Sequence, residues 1–130
     1  MRLLLDTHTA LWAVDTQGLL PPHIVEALTD VRNAVFVSTV TIWEIAIKSA
    51  LRRHAGKLPV PSGEALFKFR EAGFQLLDIT PEHALVVEGL PLLHADPFDR
   101  LLVAQALSEP MRLVSRDRQI VMYSDTFLTW

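Results

Sequence analysis

Short apolar runs alternate along the chain with stretches whose apolar residues recur at helical spacing. Arg2–Leu5 is a short apolar run that stops at Asp6, as a strand buried on both faces would. Thr7–Val14 reads as a short helix with Leu11 and Trp12 inward. Pro21 and Pro22 open a second helix through about Val31, since proline suits a first turn. Ala34–Val37 is a second strand, rich in β-branched and aromatic residues. Ser38 and Thr39 lead into a long helix to about Arg53, with an apolar stripe of Ile42, Ile45, Ala46, Ser49 and Ala50. Gly56, Pro59 and Pro61 end that segment. Ser62 caps a helix through about Ala72, stopped by Gly73. Gln75–Ile79 is a third strand, and Thr80–Pro81 open a helix closed by Gly89 and Pro91. Asp96–Pro97 open the next helix, through about Ser108, and Arg112–Ser115 form a fourth strand. Val121–Trp130 carries a weaker pattern, that of a short edge strand.

Strands alternating with helices predict an α/β/α sandwich around a mainly parallel sheet, in a single domain spanning 1–130. In such folds ligands sit at the carboxyl ends of the strands. Half of the residues are apolar and 21% are charged, which excludes an intrinsically disordered chain. The absence of cysteine excludes disulfides, thiolate zinc sites and cysteine nucleophiles. No stretch approaches the ~18 apolar residues of a membrane span. Asp6 and His8 interrupt the first apolar run too early for a signal peptide. A soluble, cytoplasmic protein is expected. The net charge of −3 argues against binding nucleic acid by bulk electrostatics alone, but not against a local site.

The acids are placed informatively. Asp6 follows the first strand, Glu44 lies in the first turns of the helix after the second, and Asp117 falls just past the fourth. Asp99 sits in the first turn of the helix before that fourth strand. Each also has an ordinary structural job open to it. Asp6 can cap its helix. Glu44 can close a capping box with Thr41 or pair with Lys48. Asp96 followed by Pro97 is a strong helix cap, with Asp99 three residues on, and Asp117 can be a turn residue. Asp99, however, shares a helix face with Leu102, Val103 and Ala106, where a charge needs a partner and no base stands at helical spacing.

Carboxylates gathered at one sheet edge repel, by about 4 kcal/mol per pair at 4 Å and an effective dielectric of ~20. A divalent cation turns that repulsion into coordination, and oxygen ligands suit Mg²⁺ or Mn²⁺. His8 and His94 lie close to acids, but lone histidines more often pack or hydrogen-bond. A carboxylate-held Mg²⁺ keeps waters and binds substrate phosphate, which points to phosphodiester hydrolysis. No phosphate-binding glycine loop, dinucleotide fingerprint or serine-nucleophile elbow competes.

Four segments, in order, resemble PIN-domain ribonucleases of the VapC toxin type. They are L-L-L-D-T-H at 3–8, S-T-V-T-I-W-E-I-A-I-K at 38–48, H-A-D-P-F-D-R-L-L-V-A-Q-A at 94–106 and L-V-S-R-D at 113–117. The resemblance covers nearly the whole chain and implies that Asp6, Glu44, Asp99 and Asp117 are the catalytic, metal-binding acids. Asp96 is an additional acid of the motif, and Thr7 and Ser115 match supporting hydroxyl positions. It further implies an endoribonuclease using Mg²⁺ or Mn²⁺, the toxin of a type II toxin–antitoxin pair, with a small cognate antitoxin and a homodimeric state.

Lys48, Arg52, Arg53 and Lys57 form a basic run, while Arg100, Arg116 and Arg118 flank the acids. Lys48, Arg52, Arg53, Arg100 and Arg116 are the candidate RNA contacts; such contacts position a backbone without reading sequence. Trp43 and Trp130 are candidates for exposed aromatic contacts. A non-cleaving RNA- or protein-binding module on the same fold is the alternative, and would be expected to lose acids that are all present. A phosphatase or receiver domain fits less well, because Asp6-Thr7-His8 lacks the second aspartate of the one and Ser115-Arg116-Asp117 lacks the lysine of the other.

Overall fold

Leu3, Leu4 and Leu5 are all fully buried, which a strand achieves only when both of its faces are covered. The computed structural model describes the backbone of residues 1–15, 17–55 and 60–130, and their side chains except those of 17 and 52–55. Gly56 and Pro59, expected to end the long helical segment, therefore lie outside the described residues.

Strand β1 (Arg2–Leu5) pairs in parallel with β2 (Ala34–Ser38) on one side and β4 (Arg112–Val114) on the other. Strand β3 (Gln75–Leu77) pairs in parallel with β2, so the order is β3-β2-β1-β4. Leu3 stands opposite Val35, and Leu5 opposite Val37 and Val114. These five residues face one core, shared with Ala10 and Leu11 of α1 (Thr7–Val14) and Ile24 of α2 (Pro22–Thr29). Ile45 of α3 (Thr39–Ala55) and Ala65 and Phe69 of α4 (Ser62–Glu71) complete that layer. Leu4 and Leu113 point the other way. They meet Leu102, Val103 and Ala106 of α6 (Pro97–Ser108), against which α5 (Pro81–Gly89) packs. The result is the expected α/β/α sandwich, with every strand pair parallel.

The differences from the sequence reading have local causes. The second helix ends at Thr29, because Asp30 accepts the Arg32 N–H in a turn and leaves Val31 98% exposed. The third strand stops at Leu77, since its partner Leu77↔Ser38 is the last residue of β2 and nothing is left for 78–79 to pair with. Ser115 lies just past the fourth strand, which ends at Val114. Pro61, not Ser62, occupies the cap of α4. Ala50 is exposed, so the buried stripe of α3 is shorter than its spacing implied. The edge strand over Val121–Trp130 does not form: a helical turn, α7 (Arg118–Val121), capped by Asp117, ends there and turns follow it. Only Leu128 bridges to the sheet, beside Val114.

Helix α4 ends in a Schellman motif. Phe74 N–H reaches the Phe69 carbonyl, Gly73 N–H reaches that of Arg70, and Gly73 takes φ +81°. The two phenylalanine rings stack at 6.3 Å. A Cβ on Gly73 would meet nothing within 4 Å, so only the backbone opposes a side chain there. Gly73→Ala is expected to cost about 1 kcal/mol, read as a lower denaturant midpoint at unchanged slope.

Strand order reverses direction between β1 and β4, with β2 and β3 to one side. Their carboxyl ends are the switch point at which an open parallel sheet binds ligands.

Candidate active site

A cleft of about 350 Å³ opens at that point, and five carboxylates line it: Asp6, Glu44, Asp96, Asp99 and Asp117. Among the described residues, Lys48 and Arg116 are the Lys/Arg residues on its walls.

Asp6 is delivered by the end of β1 and is 5% exposed. Its Oδ1 accepts the Thr9 N–H at 2.9 Å, which caps α1, and its Oδ2 accepts the Ser115 hydroxyl at 2.6 Å. Capping and facing the cleft are thus compatible jobs for one side chain. Burial pushes its pKa up, against the hydrogen bonds from Ser115 and Thr9.

Glu44 is 3% exposed. The Thr7 hydroxyl donates to its Oε1 at 2.6 Å, and Lys48 pairs with its Oε2 at 2.5 Å. The capping box with Thr41 does not form, because α3 already begins at Thr39 and places Thr41 inside the helix. Thr41 instead lies 3.2 Å from the Thr7 hydroxyl, a partner the sequence did not single out.

Asp96 caps α6 by accepting the Asp99 N–H at 3.0 Å. Asp99, one turn in, has its pKa raised to about 7. Desolvation is the largest cause, followed by the charges of Asp96 and Asp6; His94 acts in the opposite sense. Asp117 caps α7 by accepting the Gln119 N–H, and its own N–H donates to the Ser115 hydroxyl oxygen at 3.0 Å. Ser115 thereby ties the first acid to the last.

The partner that Asp99 lacks on its own helix comes from the preceding loop. His94 Nε2 lies 2.9 Å from Asp99 Oδ2 and 3.2 Å from Asp117 Oδ2. Its Nδ1 accepts the Asp96 N–H at 3.3 Å, which leaves Nε2 to carry the proton shared by the two carboxylates. The spacing H-x-D-P, a histidine two residues before a capping aspartate, is the signal that could have raised its weight. His8 also lines the cleft, its ring tilted against Trp12 with the centroids 5.7 Å apart.

Arg100, a candidate RNA contact, has its guanidinium engaged within the fold. Its guanidinium donates to the carbonyls of Pro91 and Val87 at 3.0 and 3.1 Å and to the Tyr123 hydroxyl at 3.1 Å. Tyr123 in turn accepts the N–H groups of Leu93 and His94. Together they hold the loop that aims His94. Lys48 and Arg116 face the cleft, Arg118 is exposed on α7, and the side chains of Arg52, Arg53 and Lys57 lie outside the described ones.

Oxygen donors predominate, one imidazole joins them, and the buried Asp6 and half-buried Asp99 hold their protons more tightly than free carboxyls. That donor set fits a hard divalent cation, with Asp99 and Asp117 beside His94 able to bring one ligand atom each within 4.8 Å of the others.

The PIN domain family matches residues 3–124. No curated protein matches the chain. Among solved structures, it is similar to VapBC2 from Rickettsia felis bound to a promoter DNA fragment, with a TM-score of 0.68 at 14% identity over 100% of this chain and 98% of that one. DNA-bound VapBC from Salmonella typhimurium gives 0.67 at 18% identity, over 100% and 97%. VapBC-5 of Mycobacterium tuberculosis, a member of the VapBC family of toxin–antitoxin systems, gives 0.60 at 15%, over 99% and 98%. At these identities the likeness is one of fold.

Proposed function

This chain belongs to the PIN domain family, and from that premise we propose that it is a Mg²⁺- or Mn²⁺-dependent endoribonuclease, the toxin of a type II toxin–antitoxin pair. The observation that carries the reading is the convergence of five carboxylates from β1, α3, α6 and the β4 edge on one cleft, two of them with raised pKa values.

Asp6, Glu44, Asp99 and Asp117 would hold the cation, with Asp96 at its margin. A bound divalent cation supplies a water of lowered pKa and neutralises charge developing on the phosphate and leaving oxygen. The chain's own residues do the rest. Ser115 fixes the rotamer of Asp6, and Thr7 that of Glu44, so the carboxylates keep their geometry without the ion. With its pKa raised to about 7, Asp99 is only partly ionised near neutral pH, and a cation held there would favour its charged form. Arg116 and Lys48 offer positive charge to the RNA backbone. Incubation with a panel of RNAs tests the reading: Mg²⁺-dependent cleavage, with no turnover of a generic phosphomonoester, is expected. RNA that is bound but never cut favours the non-cleaving module instead.

The structural neighbours include VapBC complexes, which supports a small cognate antitoxin as partner. A basic side chain such as arginine inserted among the carboxylates would silence the site. Trp43 is 55% exposed and meets Phe98 edge-on at 5.2 Å, an apolar step between α3 and α6 suited to a second copy or an antitoxin segment. Trp130 is instead partly buried against Trp12. Among the described residues no helix is long and apolar enough to cross a membrane.

Asp96 and Asp99 are expected to separate by mutation. Asp96→Ala should lose about 1 kcal/mol of stability, as helix caps do, and part of the activity. Asp96→Ser restores a cap without the charge and should regain the stability. Thermal melts and cleavage rates decide it: a folded Asp96→Ser protein as inactive as Asp99→Asn would put Asp96 on the metal or its waters.

A further inference from the structure

Arg116 stands exposed on the wall of a cleft lined by five carboxylates, yet among the described residues it makes no ion pair with any of them. Its guanidinium carbon lies 5.9 Å from the centre of the Trp12 indole. Lys48, which also lines the cleft, is committed to Glu44. Arg116 therefore has no carboxylate partner among the described residues and a defined place beside Trp12.

The place is fixed from both ends. Ser115 and Asp117 on either side are tied to Asp6 and His94, so the backbone of Arg116 cannot swing. Trp12 is partly buried against the first core layer, with Trp130 edge-on at 6.1 Å and His8 at 5.7 Å. A flat guanidinium is weakly hydrated and lies well on an indole face, which an ammonium does less well. The stack keeps the cation from collapsing onto the acids, where it would compete with the metal and lose its donors to the carboxylates.

We propose that Trp12 is the positioning residue of the RNA site: it holds the Arg116 guanidinium at the cleft rim to receive a backbone phosphate next to the one being cut. The proposal rests on the ribonuclease reading above. The ligand chemistry is a single-stranded RNA backbone, gripped by charge and planar geometry without base readout.

The test measures binding of a fluorescent single-stranded RNA to the uncleaving Asp6→Asn protein in Mg²⁺ over a range of salt. Arg116→Gln should weaken binding several-fold and lower the slope of log K against log salt by about 0.7, the loss of one phosphate contact. Trp12→Leu should reproduce both effects, Trp12→Phe should stay within about two-fold of the parent, and adding Arg116→Gln to Trp12→Leu should weaken binding no further. Arg116→Lys leaves Trp12 and the core untouched, so it carries the test even if Trp12→Leu folds poorly; it keeps the charge and should still bind several-fold more weakly. In the otherwise unaltered enzyme Arg116→Gln, Arg116→Lys and Trp12→Leu should raise KM more than they lower kcat. Arg116→Lys binding like the parent, or a folded Trp12→Leu protein with parental affinity and slope, overturns the proposal alone. Unaltered protein that neither binds nor cuts RNA overturns it together with the reading on which it rests.

Discussion

Asp99→Asn is expected to reduce RNA cleavage by at least about 100-fold while leaving the metal-free protein more heat-resistant above pH 7. The size of the first effect follows from position. Replacing residues that merely support a metal ligand typically costs 10–100-fold, so a direct ligand should exceed the upper end. The second effect follows from proton linkage. The Asp99 pKa stands at about 7 in the folded chain, against an ordinary value near 3.8, chiefly through desolvation and then the neighbouring charges of Asp96 and Asp6. Between those values the folded state holds a proton that the unfolded state has released. The metal-free fold therefore loses stability as pH rises from about 4, and the loss is complete above about 7. Buried Asp6 contributes in the same direction. Asparagine removes the Asp99 share and still offers His94 Nε2 an acceptor. Melting temperatures from pH 4 to 9 in a chelating buffer check this: the variant should show a flatter decline. An unchanged slope would mean that Asp99 ionises normally, and retained cleavage would remove it from the metal site.

Chelation is the second large effect. EDTA should stop cleavage and Mg²⁺ or Mn²⁺ should restore it, because the carboxylates alone supply no electrophile. The ion should also be visible without any substrate. A ligand at 100 times its Kd stabilises a fold by about 2.7 kcal/mol, so metal should raise the melting temperature of chelator-treated protein clearly. Protons compete for Asp99, so the gain should shrink below about pH 7 and binding should release protons. Asp6→Asn should lose both the cleavage and the thermal gain. Cleavage that survives exhaustive chelation would sink the metal mechanism, and a large loss of stability in Asp6→Asn would assign Asp6 chiefly to its helix cap.

Much of this was legible from local pattern. Three leucines running into Asp6 specify a doubly covered strand whose end presents an acid, and both features lie within six residues. Asp96 before Pro97 specifies a helix start, and it caps Asp99 N–H as its position demands. These are choices made by steric and hydrogen-bonding rules over one turn or one strand, so the sequence carries them directly. The breaks at Asp30 and Leu77 were harder to place, because a turn bond in one case and the length of a neighbouring strand in the other set the limit.

The sequence by itself determined the alternation of elements, the four-segment likeness to one family and the acids that fall at strand ends. Only the tertiary structure decided how those acids are held. Ser115 reaches Asp6 across 109 residues, and Thr7 reaches Glu44 across 37, because β1 lies between β2 and β4. His94 became the partner of Asp99 and Asp117 because Arg100 and Tyr123 pin the loop that carries it, a structural job that the charge of Arg100 did not announce. A carboxylate's neighbours in space follow from strand order and loop closure, and no periodicity along the chain records either.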